Sequence, residues 1–317
     1  MSADQQARLI QWDHGVAQYD LMYGGQPECA SGYVITGAVP TLIETGTSGA
    51  FENTLAALQA LAIAPQDVQY VIVTHIHLDH AGGAGRLLQA LPNAKLVVHP
   101  RGARHMIDPT KLIASAREVY GDSFEQLFDP IVPVPQERVI LAEDGMTLAL
   151  DGRTLTLLDT PGHARHHVAI YDDLSRGIFS GDTIGLTFPA LNQLGARFYC
   201  PTSSPTQFDP AALKATLTRC AALQPEVIYF THYGRHEGAL AIIEQNLQWI
   251  DTYVQLGQVH YDRQEGWSSI ARAMRQAFYE QLQQQGIGPE QPELATLEFD
   301  LELNAKGLAC FLDRQRD

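Results

Sequence analysis

Basic residues are scarce in this chain: 21 Lys and Arg stand against 36 Asp and Glu, a formal net charge of −15 over 317 residues. The acidic excess runs along the sequence rather than gathering in a tail. Such a field repels a phosphate backbone, because affinity for nucleic acid comes largely from Lys and Arg replacing counterions. The basic stretch RGARH at 101–105 is too short to override it. No nucleic-acid partner is expected. Cysteine is equally sparse: Cys29, Cys200, Cys220 and Cys310 lie far apart and form no CxxC pair. They read as reduced thiols rather than a disulfide framework. No stretch approaches the roughly 18–20 continuous apolar residues of a membrane span, so no membrane partner is expected. The opening MSADQQARLIQWDHG lacks an apolar run followed by a small-residue cleavage site, so a secretory leader is not expected and the expected location is cytoplasmic. Also missing are a serine nucleophile elbow, a phosphate-binding loop, a dinucleotide fingerprint, internal repeats and low-complexity segments.

What is present is a globular composition, 45% hydrophobic, long enough to bury a sizeable core. Two short strands, GYVIT (32–36) and TLIETG (41–46), joined through the turn-like GAVP, are expected to open the fold. A helix is expected over 49–62, where Phe51, Leu55, Leu58 and Leu61 share a face. VQYVIVT (68–74) is the uninterrupted apolar run of a strand covered on both sides. A helix (84–91) and a strand (94–100) repeat the alternation, and 102–128 reads as helical. Residues 146–182 hold four short strands separated by turn residues, the pattern of an antiparallel meander. A helix over 209–223 opens with an Asp209 cap and Pro210, and a strand follows at 226–232. Beyond 237 the chain is mainly helical, with GIGPEQPEL (286–294) as a linker and a strand-like ATLEFDLEL (295–303) before a last apolar-faced piece. Two comparable sets of strands and helices fit an α/β protein with sheets inside and helices outside.

The chemistry concentrates in THIHLDHAGG (74–83), which spends three of the 12 histidines in six positions: His75, His77 and His80, with Asp79 among them. These spacings cannot share one helical face. At a strand end turning into a helix, His75 and His77 point the same way and the turn brings Asp79 and His80 beside them. Imidazole and carboxylate suit zinc, iron and manganese alike. Three further candidate ligands each follow an expected strand: His163 in DTPGHARHH, Asp182 in FSGDT and His232 in YFTHYG.

The ordered set HxHxDH, then His163, Asp182 and His232, with its TPGH and SGDT contexts, resembles the metallo-β-lactamase superfamily over roughly residues 30–235. Within it the sequence looks most like the glyoxalase II-like, small-molecule branch. The resemblance implies a four-layer αβ/βα sandwich, spanning 1–237, with a helical C-terminal extension, 238–317, packed on it. It also implies two divalent ions, zinc first, with iron or manganese as alternatives. His75, His77 and His163 would hold one, Asp79, His80 and His232 the other, and Asp182 would bridge them. All seven positions carry the expected residue type. The activity implied is hydrolysis of a small carbonyl ester, a lactone or a thioester, by a metal-bridging hydroxide, with Asp79 as both ligand and proton shuttle. A small-molecule phosphodiesterase and a mononuclear-iron persulfide dioxygenase-like oxidoreductase share much of the pattern. Flavodiiron oxidoreductases usually place a Glu where His77 stands and carry a flavin domain that is not expected here, and the residues with which glyoxalase II enzymes bind glutathione have no match.

Around this set, His167 is the candidate to orient a ligand by hydrogen bonding, ahead of His166. Tyr233 and Arg235 follow His232 directly and would lie near the metals, Tyr233 as a wall. Phe188, Phe198 and Tyr199 fall in a long loop, 185–208, which reads either as a pocket-lining lid or as a small satellite core. The C-terminal helices would cap the pocket or pair two subunits as a homodimer.

Overall fold

The computed structural model describes residues 8–203 and 206–316, and the chain divides into two compact units. The first comprises Met1–Asp159, His166–Gly181 and Glu226–His236; the second comprises Thr160–Arg165, Asp182–Pro225 and Glu237–Asp317.

Two mixed sheets form the first unit. One has seven strands in sequence order: β1 (Ile10–Gln11), β2 (Val16–Asp20), β3 (Ser31–Ile35), β4 (Thr41–Ile43), β5 (Tyr70–Ile72), β6 (Lys95–Val98) and β7 (Val139–Leu141). Its first four strands are antiparallel and the last four run parallel to one another. The other contains β8 (Thr147–Ala149), β9 (Thr154–Asp159), β10 (Val168–Asp172), β11 (Gly177–Gly181), β14 (Val227–Phe230) and β15 (Gly234–Glu237), in the spatial order 15-14-11-10-9-8. The expected meander over 146–182 is there, with β8 to β11 pairing antiparallel in turn. β11 then pairs parallel with β14.

The period of two along β5 shows how the layers are built. Ile72 joins Tyr33, Ile43 and Val97 of its own sheet in a core shared with Leu155, Leu157, Val168, Ile170 and Phe179 of the other. Val71 and Val73 point the opposite way, into a second core with residues of α1 (Phe51–Ala60), α3 (Ala84–Ala90) and α4 (Pro100–Ile107). Being apolar on both faces, the run VQYVIV is what a doubly covered strand requires. Tyr33 crosses the inner core, packing edge-on to Phe179 and Tyr229 with ring centroids 5.2 and 5.6 Å away, and its hydroxyl donates to the Phe230 carbonyl. A smaller cluster gathers Leu78 of α2 (Leu78–Ala81) with Phe124 and Phe128 of α6 (Phe124–Phe128) and residues of α5 (Thr110–Tyr120).

The second unit contains the two-stranded ribbon β12 (Leu186–Thr187) and β13 (Tyr199–Cys200), then α7 (Pro189–Gln193), α8 (Pro210–Ala222), α9 (Ala239–Asp262), α10 (Trp267–Gln284) and α11 (Glu298–Arg316). Asp209 caps α8 as its sequence implies, its carboxylate accepting from the Ala212 N–H at 3.0 Å. The sandwich of sheets and helices with a helical C-terminal extension is the α/β class expected from the sequence.

Two expectations need correcting. Strands β1 and β2 precede the GYVIT strand. They escape the hydrophobic pattern because buried polar residues interrupt β2: Gln18 bonds to Ser31 Oγ, and Asp20 accepts from the N–H groups of Met22 and Glu28. The strand-like ATLEFDLEL is instead a 3₁₀ turn (Pro292–Leu297) leading into α11. Its apparent alternation depends on Phe299, which is 66% exposed, whereas Leu301, Ala305, Leu308 and Leu312 form the buried stripe of a helix.

Candidate metal centre

Five of the seven expected ligand residues fall in the first unit. After β5 the chain carries His75, fully buried, and His77, then turns into α2 with Asp79 and His80 on its first turn. The loop after β14 presents His232. Asp79 Oδ2 lies 3.6 Å from His80 Nε2 and 3.5 Å from His232 Nε2, and those two nitrogens are 3.2 Å apart. A tetrahedral ion bound at about 2.0–2.1 Å needs donors about 3.3–3.4 Å apart, which is the size of this triangle. His75 Nε2 and His77 Nδ1 approach to 2.9 Å in the same way.

Hydrogen bonds fix which nitrogen of each imidazole is available. The Thr74 hydroxyl donates to Glu44 Oε1 at 2.5 Å, so its oxygen is left to accept from His75 Nδ1, 3.1 Å away. His80 Nδ1 faces Glu44 Oε1 at 3.1 Å, and His232 Nδ1 faces the Cys29 carbonyl at 3.0 Å. Oxygens that can only accept put the proton on Nδ1 and leave Nε2 with a lone pair, the form in which histidine binds a metal. Glu44 also accepts from Thr231 Oγ1 at 3.1 Å. Fully buried, this carboxylate ties together residues 74, 80 and 231, a role that its residue type does not announce.

Electrostatics agree with the geometry. Burial alone would raise the Asp79 pKa, but His80, His232 and His77 beside it together hold the carboxyl far below the usual carboxylate range. Burial pushes the His166 imidazole down to about 3, reinforced by His77, and drives His167 well below its ordinary value. The His167 ring is fully buried and stacks on His75 at 4.9 Å. Tyr233 is mostly buried, its side chain hydrogen-bonded to Gln18.

The other two expected ligand residues, His163 and Asp182, fall in the second unit. His163 Nε2 lies 3.6 Å from Asp182 Oδ2, both side chains buried. Thr202 Oγ1 donates to the Asp182 carbonyl at 2.9 Å and stands 2.7 Å from His163 Nδ1, which makes His163 the donor there and again frees Nε2. The glycine of TPGH is required: Gly162 has φ +136°, and a Cβ on it would stand 2.4 Å from the Leu213 Cα in α8. Phe198 is fully buried among Phe188, Trp249 and Phe278, a satellite aromatic core, and Tyr199 pairs with Thr187 in the ribbon. Neither Glu44, Thr74, Thr202 nor Thr231 could be picked out by residue type. Each is a common residue at a strand end or in a loop.

The chemistry of the donor set fits divalent ions. Asp79, His80 and His232 each offer one ligand atom, all within 4.8 Å of one another. No helix among the described residues is long and apolar enough to cross a membrane.

Comparison with known proteins bears on the same residues. A family model described as the metallo-beta-lactamase superfamily matches residues 25–232. A metallo-beta-lactamase fold-containing protein of Sulfurisphaera tokodaii is 32% identical over 213 residues, 66% of this chain and 74% of that protein. An N-acyl homoserine lactonase of Azorhizobium caulinodans is 34% identical over 118 residues, covering 37% of this chain and 40% of the lactonase. Among solved structures, an archaeal metallo-beta-lactamase superfamily protein from Sulfolobus tokodaii superposes with TM-score 0.58 at 30% identity, covering 70% of this chain and 80% of that one. A metallo-beta-lactamase family protein of Thermus thermophilus gives TM-score 0.59 at 19% identity, covering 90% of this chain and 89% of the other, a likeness of fold.

Proposed function

The chain belongs to the metallo-beta-lactamase superfamily, and from that premise we propose a metal-dependent hydrolase that cleaves a small carbonyl ester, a lactone or a thioester, with two divalent ions, zinc first. His75, His77 and His163 would hold one ion and Asp79, His80 and His232 the other, with Asp182 shared. The observation that carries the reading is the triangle of Asp79, His80 and His232, whose donor atoms lie 3.2–3.6 Å apart with both imidazole lone pairs freed by bonds on the far side of the ring. The likeness to a lactonase supports the lactone among the carbonyl esters. When bound, such ions lower the pKa of water towards about 7 and polarise a carbonyl.

The residues supply the rest. Asp79 turns Oδ2 to both histidines, so Oδ1 is the oxygen to take a proton from the attacking water and pass it to the leaving oxygen or sulfur. Its depressed pKa keeps it ionised at neutral pH. His167 backs the His75 ring, and Tyr233 forms part of the wall beside His232. Burial of His75, His80, His163 and Asp182 keeps bulk water from competing for the donors.

Metal content per chain, measured by elemental analysis on protein purified without added metal, tests the reading. About two equivalents, falling sharply in Asp182→Ala, are expected, followed by turnover of lactones or thioesters. One equivalent of iron indifferent to that substitution, with oxygen uptake on a persulfide, overturns it. Turnover of a chromogenic phosphodiester alone overturns the substrate class.

A further inference from the structure

The second unit contains a buried polar network that neither packing nor the proposed reaction accounts for. α11 buries an apolar stripe, Leu301, Ala305, Leu308 and Leu312, interrupted by Asn304, which is 3% exposed. Asn in a helix interior costs stability unless its amide has work to do. Here Oδ1 accepts from the Ser203 N–H at 2.7 Å, and Nδ2 donates to the Pro201 carbonyl at 3.2 Å and approaches Cys200 Sγ at 3.5 Å. From α9, the fully buried Tyr253 hydroxyl donates to the same Pro201 carbonyl at 3.3 Å and sits 3.0 Å from Cys200 Sγ. The Ser203 hydroxyl returns a bond to the Asn304 carbonyl at 2.8 Å. The helix lies flush against this segment: a Cβ at Gly307 would stand 2.4 Å from the Ser203 carbonyl oxygen. Between Pro201 and Ser203 stands Thr202, the residue that fixes the tautomer of His163.

We propose that the C-terminal helices hold His163 in its metal-binding posture, Asn304 and Tyr253 clamping residues 200–203 so that the Thr202 hydroxyl stays between His163 Nδ1 and the Asp182 carbonyl. Asn304 and Tyr253 are positioning residues in this account. The inference rests on the reading of His163 and Asp182 as ligands. Its logic is local: three successive residues are each bonded, two to the helices and the one between them to the ligand pair. Threonine's hydroxyl proton is committed to a carbonyl that can only accept, so the imidazole must donate from Nδ1. If the segment slides, that commitment is lost and Nε2 no longer carries a dependable lone pair.

Two readouts test the clamp on the full-length protein. The first is zinc affinity, measured in competition with a chromophoric chelator, for wild type, Asn304→Leu, Tyr253→Phe, Thr202→Val and Thr202→Ser. Asn304→Leu and Thr202→Val should weaken one of the two ions by about 10–100-fold, leave the other unchanged, and keep the helical signal of the fold. Tyr253→Phe should move in the same direction by less, and Thr202→Ser, which keeps the hydroxyl, should restore wild-type affinity. The second readout needs no metal: nitrogen NMR of His163 should show the Nδ1–H tautomer in wild type and Thr202→Ser, and a mixture in Asn304→Leu and Thr202→Val. Wild-type zinc affinity and an unmixed tautomer in both of those variants overturn the clamp. Should Asn304→Leu fail to fold, Tyr253→Phe and Thr202→Val decide by the same measures. A wild-type protein that takes up no zinc at all overturns the ligand reading instead, and the tautomer spectra still decide the clamp.

Discussion

Glu44 accepts from His80 through a single oxygen, Oε1, 3.1 Å from the imidazole Nδ1, and the same oxygen receives the hydroxyls of Thr74 and Thr231. Removing its charge while keeping its shape should be felt at the metal before it is felt in the fold. In Glu44→Gln the affinity of the ion proposed for Asp79, His80 and His232 should fall about 10–100-fold. Glu44→Ala, which strands three buried partners, should also cost roughly 1–3 kcal/mol of stability for each one left unsatisfied. Chelator competition and urea denaturation separate the two effects.

In the proposed reaction Asp79 would combine ligation with proton transfer, and the amide isostere divides those tasks. Asp79→Asn keeps an oxygen near His80 and His232 but cannot take up the proton. Its kcat should drop by about 10²–10⁴ with a much smaller change in KM. Steady-state kinetics on whichever ester the protein turns over give the answer, and an unchanged kcat removes Asp79 from the proton path.

His166 gives a pH dependence of defined sign. Folded, its pKa is pushed down to about 3; unfolded, it returns to about 6.5. Between those values the unfolded chain binds a proton that the folded one refuses, so stability falls as the pH drops from about 6.5 towards 3. Metal-free wild type should therefore lose stability over this window more steeply than His166→Gln, as followed by denaturant midpoints at several pH values. Parallel curves would show that His166 takes no part.

The thiols should divide by burial. Cys200 and Cys220 are fully buried, and burial pushes the Cys220 thiol up to about 12, so both stay protonated and covered at pH 8. Cys29 is exposed. Alkylation followed by peptide mass mapping should label Cys29 in the native protein and reach Cys200 and Cys220 only after denaturation.

The proposed ligand set is legible because its residues are chemically unusual: histidine and aspartate at strand ends are rare enough to stand out one by one. The strand β5 was legible because both of its faces are buried, so no polar residue broke the run. What supports the ligands was not. Glu44 lies 30 residues before Thr74 and 187 before Thr231, and nothing in TLIETG distinguishes it from a residue closing an ordinary strand. Thr202 and Asn304 are equally plain in sequence, because their importance comes from what lies across from them in space. The misjudged ATLEFDLEL shows the opposite failure: over so short a window, two periods fit the same apolar residues, and only the exposure of Phe299 chooses between them.

The triangle of Asp79, His80 and His232 is the size an ion requires, and its imidazoles are turned by bonds to the far ring nitrogens. The first unit has large hydrophobic cores of its own to fold around, unlike small zinc domains that collapse around their metal. The cage is a socket. Emptied by a chelator, it should keep its shape and accept zinc, manganese or iron in turn, so that one preparation can report what each ion does to the same surrounding residues.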